Sequence, residues 1–156
     1  MYSNTLVCSI LKYIDEKIND RISIDEIENT FFYNRYYIMK LFKKEMQITI
    51  IDYINSLRIY NSIMQMKNAN NKLLNIAYKN GFNSIEYFSE IFKKVVGVNP
   101  RIAKNYFNRK KGISNAKLDL INHSLVNLND LKERKEMYLL NQKPEHTMVK
   151  ILTIFK

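Results

Sequence analysis

Tyr36-Tyr37-Ile38-Met39-Lys40-Leu41-Phe42-Lys43-Lys44 and Glu86-Tyr87-Phe88-Ser89-Glu90-Ile91-Phe92-Lys93-Lys94 follow one pattern, repeated 50 residues on. Ile38, Leu41 and Phe42 return as Phe88, Ile91 and Phe92, and the lysine pair returns with them. Apolar residues spaced three and four apart mark one face of a helix. Each copy follows a short helical segment and a turn, so the chain reads as two helix-turn-helix units in tandem. The repeat is out of step by one residue: Ile27-Glu28 matches Ile76-Ala77 at an offset of 49. Two copies of one supersecondary unit tolerate such an insertion in a turn.

The flanking signals fit helices throughout. Leu6, Val7, Ile10, Leu11, Ile14 and Ile18 form a helical stripe over 3–18. Ser23-Ile24-Asp25-Glu26 has the form of a capping box, in which the serine hydroxyl and the glutamate carboxylate each accept an amide; it opens a helix over about 24–30. Asn34 caps a third helix to about residue 45. Thr49 opens a long fourth helix to about residue 67, with Ile51, Ile54, Leu57, Ile63 and Met66 mostly on one side. A fifth runs over about 72–80 and stops at Gly81, suited to the left-handed conformation past a helix end. Asn83, with Glu86 three residues on, caps a sixth helix to about Val96. Asn99-Pro100 opens a short last one, since proline is tolerated at the first helical position. With three Gly and two Pro in 156 residues, the fold class is all-α.

Residues 108–156 change character. Asn108 to Gly112 reads as a linker, Leu118, Ile121, Leu125 and Leu128 suit an amphipathic helix, and Met148 to Phe155 is β-prone. So short and polar a segment would not fold alone, so it is either an appendage or the start of an incomplete effector domain.

Charge and composition narrow the function. The net charge is +10, with 15 Lys and Arg against 10 Asp and Glu in residues 1–107 and 10 against 5 in 108–156. The excess is spread along the chain, so its use depends on where helices place it. A single cysteine, Cys8, excludes an internal disulfide and reads as a small core residue in a reducing compartment. No apolar run approaches the roughly 20 residues of a membrane span, and the N-terminus carries no secretory signal, so the expected location is cytoplasmic. His123 and His146 show no metal spacing, and no glycine-rich phosphate loop is present. No enzyme, cofactor or metal is expected, and no small-molecule effector is assigned.

A helix-turn-helix sets its second helix in the major groove, where base edges differ. Assigning Ile38, Leu41 and Phe42 to the core leaves Arg35, Tyr36, Met39 and Lys40 to meet base edges, with Asn34, Lys43 and Lys44 at phosphates. In the second unit the corresponding base set is Ile85, Glu86, Ser89 and Glu90. Asn83, Ser84, Lys93 and Lys94 stand at the helix ends, where free amides and ammonium groups suit phosphate.

The chain resembles the DNA-binding domain of the AraC/XylS family of bacterial transcription regulators. The resemblance covers about residues 5–107. It rests on Ser23-Ile-Asp-Glu-Ile27, Tyr33-Asn34, Ile38 to Lys44, Tyr53-Ile54 with Arg58, Ile76-Ala77, and above all on the string from Gly81-Phe82 through Ser84, Tyr87-Phe88-Ser89, Phe92-Lys-Lys94 and Gly97 to Pro100. It implies seven helices, with two helix-turn-helix units joined by the long fourth helix. It further implies an asymmetric duplex site read in successive major grooves by helices over about 34–45 and 84–96, near a promoter. An activator contacting RNA polymerase is the usual form. Glu28 stands where the family has a small residue, Phe32 where it has glycine, Glu90 where a basic residue is common, and Ala103-Lys104 where Tyr-Arg is usual. These departures motivate an alternative from another class: a protein-interaction module that has lost productive DNA binding.

Overall fold

A computed structural model describes residues 2–109 and 112–141. They form eight helices and, among the described residues, no strand: α1 (Tyr2–Lys17), α2 (Ile24–Phe31), α3 (Arg35–Met46), α4 (Ile50–Met66), α5 (Leu73–Lys79), α6 (Ile85–Val96), α7 (Pro100–Phe107) and α8 (Asn115–Asn141). The β-prone stretch after residue 147 lies outside the described residues.

The helices begin where short polar side chains satisfy free amides. Ser23 Oγ accepts from the Glu26 amide at 3.2 Å, and Glu26 Oε2 accepts from the Ser23 amide at 2.9 Å, completing the capping box. Asn34, Thr49 and Asn99 cap α3, α4 and α7 as their positions predict. In α6 the cap is Ser84, one residue beyond the expected Asn83. Its backbone is extended (φ −150°, ψ 156°), and its hydroxyl accepts from the Tyr87 amide at 3.1 Å.

Two cores form, one per unit. The first gathers the α1 stripe with Ile27, Ile38, Leu41, Phe42 and Met46. The second gathers Ile76, Ala77, Phe82, Phe88, Ile91, Phe92 and Val96. The residues that repeat in the sequence are thus the residues that repeat inside, each buried Ile, Leu or Phe contributing about 1.5–3 kcal/mol. Helix α4 belongs to both cores. Ile50, Tyr53, Ile54 and Leu57 enter the first, while Ile59, Ile63 and Met66 enter the second. A one-sided stripe including Ile51 is therefore the wrong pattern for α4: Ile51 is 48% exposed, and the buried positions lie around most of the helix.

The amphipathic helix expected through Leu118–Leu128 is longer than its stripe. Helix α8 runs 27 residues and lies along both cores: Ile121 and Leu128 are buried in the second, and Leu131 in the first.

Within the two units, four residues past helix ends turn left-handed. In the first unit these are Phe32 (φ 57°) and Gln47 (φ 59°), and in the second Gly81 (φ 78°) and Gly97 (φ 85°). Phe32 directly follows α2, whereas Asn80 (φ −101°) stands between α5 and Gly81, and the side chains differ completely. Gly81 faces a second constraint, since a Cβ there would lie 2.9 Å from Arg58 Cζ and Nη2.

Candidate nucleic-acid interface

Helix α3 presents its outer face as its core assignment requires. Tyr36 is 77% exposed, and Met39, Lys40, Lys43 and Lys44 are also exposed. Asn34 keeps its side chain at the helix start, its Oδ1 accepting from the Tyr36 amide at 2.9 Å. The result is an aromatic ring, a thioether and three ammonium groups along one helix, suited to donate to guanine and phosphate and to touch a thymine methyl. Around the turn, Phe32 stands 92% exposed, and Tyr33 stacks on Tyr37 with ring centroids 5.6 Å apart.

Arg35 is placed differently from its neighbours. Its Nε donates to Glu28 Oε2 at 3.1 Å, its amide donates to Glu28 Oε1 at 3.1 Å, and its Nη2 pairs with Asp25. Half-buried, it closes α2 onto the start of α3 and spends its donors there. Glu28, in the family's small-residue position, is the acceptor that makes this possible. The sequence shows all three charges, but their convergence depends on the turn.

The face of α6 is mixed. Glu86 and Glu90 are exposed, Ser89 is half-buried, and Ile85 packs partly against the second core. Asn83 is exposed, while Ser84 Oγ is engaged as the cap. Lys93 is exposed, and Lys94 reaches back to Asp52 on α4 at 3.1 Å. The Thr49 hydroxyl, then the Lys94 ammonium, hold the Asp52 carboxyl below the usual carboxylate range. The face of α3 is thus the more basic of the two, since Glu45, the one acid on α3, is half-buried and accepts from the Tyr138 hydroxyl.

Arg58 is the residue whose role sequence reading did not supply. Only 7% exposed, it donates from Nε to Ile18 O at 3.0 Å and from Nη2 to Asp20 O at 2.5 Å, with its guanidinium 5.9 Å from the Phe82 ring centroid. Burial pulls its pKa down from the ordinary arginine value, yet arginine remains charged across the working pH range. One side chain therefore joins the α1–α2 turn, α4 and the turn of the second unit.

Nothing in this surface resembles a metal or nucleophile site. Among the described residues, no group of three or more His, Cys, Asp or Glu could hold a metal ion. Cys8 is half-buried, and burial pushes its thiol pKa up. His123 is exposed, and His146 lies outside the described residues. No helix among the described residues is long and apolar enough to cross a membrane.

Comparison with known proteins gives the same assignment. A family of helix-turn-helix domains matches residues 28–105, half of the chain. The Tn10 TetD protein of Escherichia coli is 26% identical over 110 residues, covering 70% of this chain and 77% of TetD. The chain belongs to the AraC/XylS family. Among its AraC/XylS relatives, the HTH-type transcriptional activator AarP of Providencia stuartii is 25% identical over 101 residues, covering 65% of this chain and 75% of AarP. A Chromobacterium violaceum regulator with an AraC-type DNA-binding domain superposes with a TM-score of 0.59 at 19% identity, covering 70% of this chain and 97% of that one, a likeness of fold. As an AraC/XylS member, the chain is a DNA-binding transcription regulator of the helix-turn-helix type.

Proposed function

We propose that residues 5–107 form the sequence-reading domain of a cytoplasmic activator, with α3 and α6 entering successive major grooves of one duplex near a promoter. The observation that supports this reading is the pairing of two 12-residue helices, α3 and α6, each capped by a side chain at its start, closed by a left-handed residue and packed on opposite ends of one shared helix. Tyr36, Met39 and Lys40 make the first set of base contacts, while Lys43 and Lys44 neutralise phosphates. Arg35 supports the first set from the turn, its charge already balanced by Glu28 and Asp25. Glu86, Ser89 and Glu90 make the second set, with Ile85 at its edge. Glutamate can accept from a cytosine amino group. Asn83, Ser84, Lys93 and Lys94 hold the backbone beside it.

That the relative AarP is a transcriptional activator supports activation, and RNA polymerase is the partner this implies. The exposed carboxylates of α6 favour a second reading, in which that unit meets a basic protein surface instead of DNA.

Selection of bound duplexes from a random pool at about physiological salt, where phosphate-only binding fades, separates the readings. Two short motifs about one helical turn apart, 10–10.5 base pairs, are the expected result. A single motif would assign base reading to one unit and leave α6 to the second reading. No enriched motif at all would overturn sequence-specific recognition.

A further inference from the structure

Helix α8 lies outside the seven helices that the resemblance accounts for, yet it is fastened to both units. From Leu120 to Leu128 it follows the second: Leu120 lies against Gly97 at the end of α6, Asn122 accepts from the Tyr106 hydroxyl at 3.3 Å, and Ile121 and Leu128 are buried. Lys132 then stands 4.2 Å from the Tyr60 ring centroid on α4. From Leu131 onward the helix follows the first unit. Leu131 is buried in its core, Lys135 pairs with Asp15 of α1 at 2.6 Å, and the Tyr138 hydroxyl reaches Glu45 of α3 at 3.4 Å. The Lys135 side chain is 14% exposed and that of Asp15 40%, so the pair is sheltered on the lysine side and open to solvent on the aspartate side.

We propose that α8 fixes the separation and rotation of the two recognition helices, and so sets which spacing between the two base motifs the protein accepts. Leu131 and Lys135 are the positioning residues, holding the first unit to a helix already anchored on the second. The inference rests on the two-groove reading above. Its physical basis is geometric. The shared helix α4, with Arg58 reaching from its middle to the α1–α2 turn and to Phe82, resists bending but leaves the two bodies joined along one line. A second helix spanning both bodies, bonded at each end, removes the twist that one line permits. Inserting one base pair between motifs turns them by about 35°, so a rigid reader must deform either itself or the duplex.

The experiment uses the full chain and the motif pair obtained by selection, with the spacer varied by single base pairs. Wild type is compared with Lys135→Ala and with the double variant Leu131→Ala/Lys135→Ala, each kept below the temperature at which helical signal is lost. For wild type, one added or removed base pair should weaken binding roughly tenfold or more, because the duplex must absorb the mismatch. In the double variant the penalty should shrink to about threefold or less on the same grounds, with Lys135→Ala between them. A uniformly weaker variant that keeps the wild-type spacer profile would reduce α8 to a stabilising helix and overturn the proposal.

A second measurement separates this proposal from the two-groove reading. Spin labels at Asn29→Cys on α2 and Lys79→Cys on α5, in a Cys8→Ser background, report the distance between units without DNA. A narrow distribution that broadens in the double variant supports α8 as the fixing element even if no paired motif is bound. An unchanged distribution sinks it.

Discussion

The two helix-turn-helix units share their order of helices and differ in how their left-handed turns are made. The first places Phe32 and Gln47 in the left-handed region, and the second uses Gly81 and Gly97. A non-glycine residue there costs about 1–2 kcal/mol, so the first unit carries strain that the second avoids. It also carries a clamp the second lacks, the Glu28–Arg35–Asp25 cluster that draws α2 and α3 together across the strained turn. The second unit's turn is instead set by packing, with Arg58 filling the space beside Gly81. One shape is reached by an electrostatic closure in one copy and a steric one in the other. The binding faces diverge in the same way, lysines on α3 standing against mixed charge on α6.

The largest effect should come from adding one carbon to the sterically closed turn. Gly81→Ala strains the backbone and displaces a buried, hydrogen-bonded guanidinium, so a loss of about 3 kcal/mol or more is expected in urea unfolding. A loss below 1 kcal/mol would mean that Arg58 moves aside freely and that the two turns are not closed differently after all.

On DNA, Lys40→Ala should weaken binding by about 1–3 kcal/mol and relax preference at one base position. Glu90→Lys should change the preference at one base position of the second motif, while its added charge strengthens phosphate-only binding and steepens the salt dependence by about one unit of slope. Titrations at several salt concentrations check both. Equal and opposite shifts without any change in base preference would erase the distinction between a reading face and a neutralising one.

At the electrostatically closed turn the sign should reverse. Phe32→Gly relieves strain at a side chain that is already exposed, so a gain of about 1 kcal/mol is expected from the same unfolding measurement. A loss would show that the Phe32 ring contributes contacts that outweigh its backbone strain.

The smallest effect is a pH dependence confined to the second unit's link to α4. The Asp52 carboxyl titrates below its unfolded value, so its contribution is complete above about pH 4, the ordinary aspartate range. It is lost as the pH falls through the lower, folded value. Both partners are substantially exposed, so the change should be small. Asp52→Asn should flatten this part of the stability profile, and an unaltered profile would assign the acid sensitivity elsewhere.

Much of this organisation is legible in the residues themselves. The capping box at Ser23 and Glu26, the caps at Asn34, Thr49 and Asn99, and the doubled apolar pattern are local, and local chemistry decides them. The cap at Ser84 shows the limit, since Asn83 and Ser84 offer equivalent acceptors and only the backbone path selects one. Arg35, Arg58 and Lys94 were readable as charges but not as bonds, because their partners lie 7 to 42 positions away. The second half of α8 escaped for a related reason. Beyond Leu131 its inward positions include Lys135 and Tyr138, which look polar until Asp15 and Glu45 arrive from α1 and α3. For the binding faces, helix periodicity sorted outward from inward at Tyr36, Met39, Lys40 and Glu90, and blurred at Ile85, a first-turn residue that reaches both ways.

Helix α4 has one further consequence. Its buried residues divide between two interiors, so neither unit possesses a complete interior of its own. Unfolding one half strips α4 of half its cover and exposes apolar surface belonging to the other. The pair should therefore melt in a single transition, as one cooperative body. A regulator built this way has no stable half-folded form in which one recognition helix survives its twin.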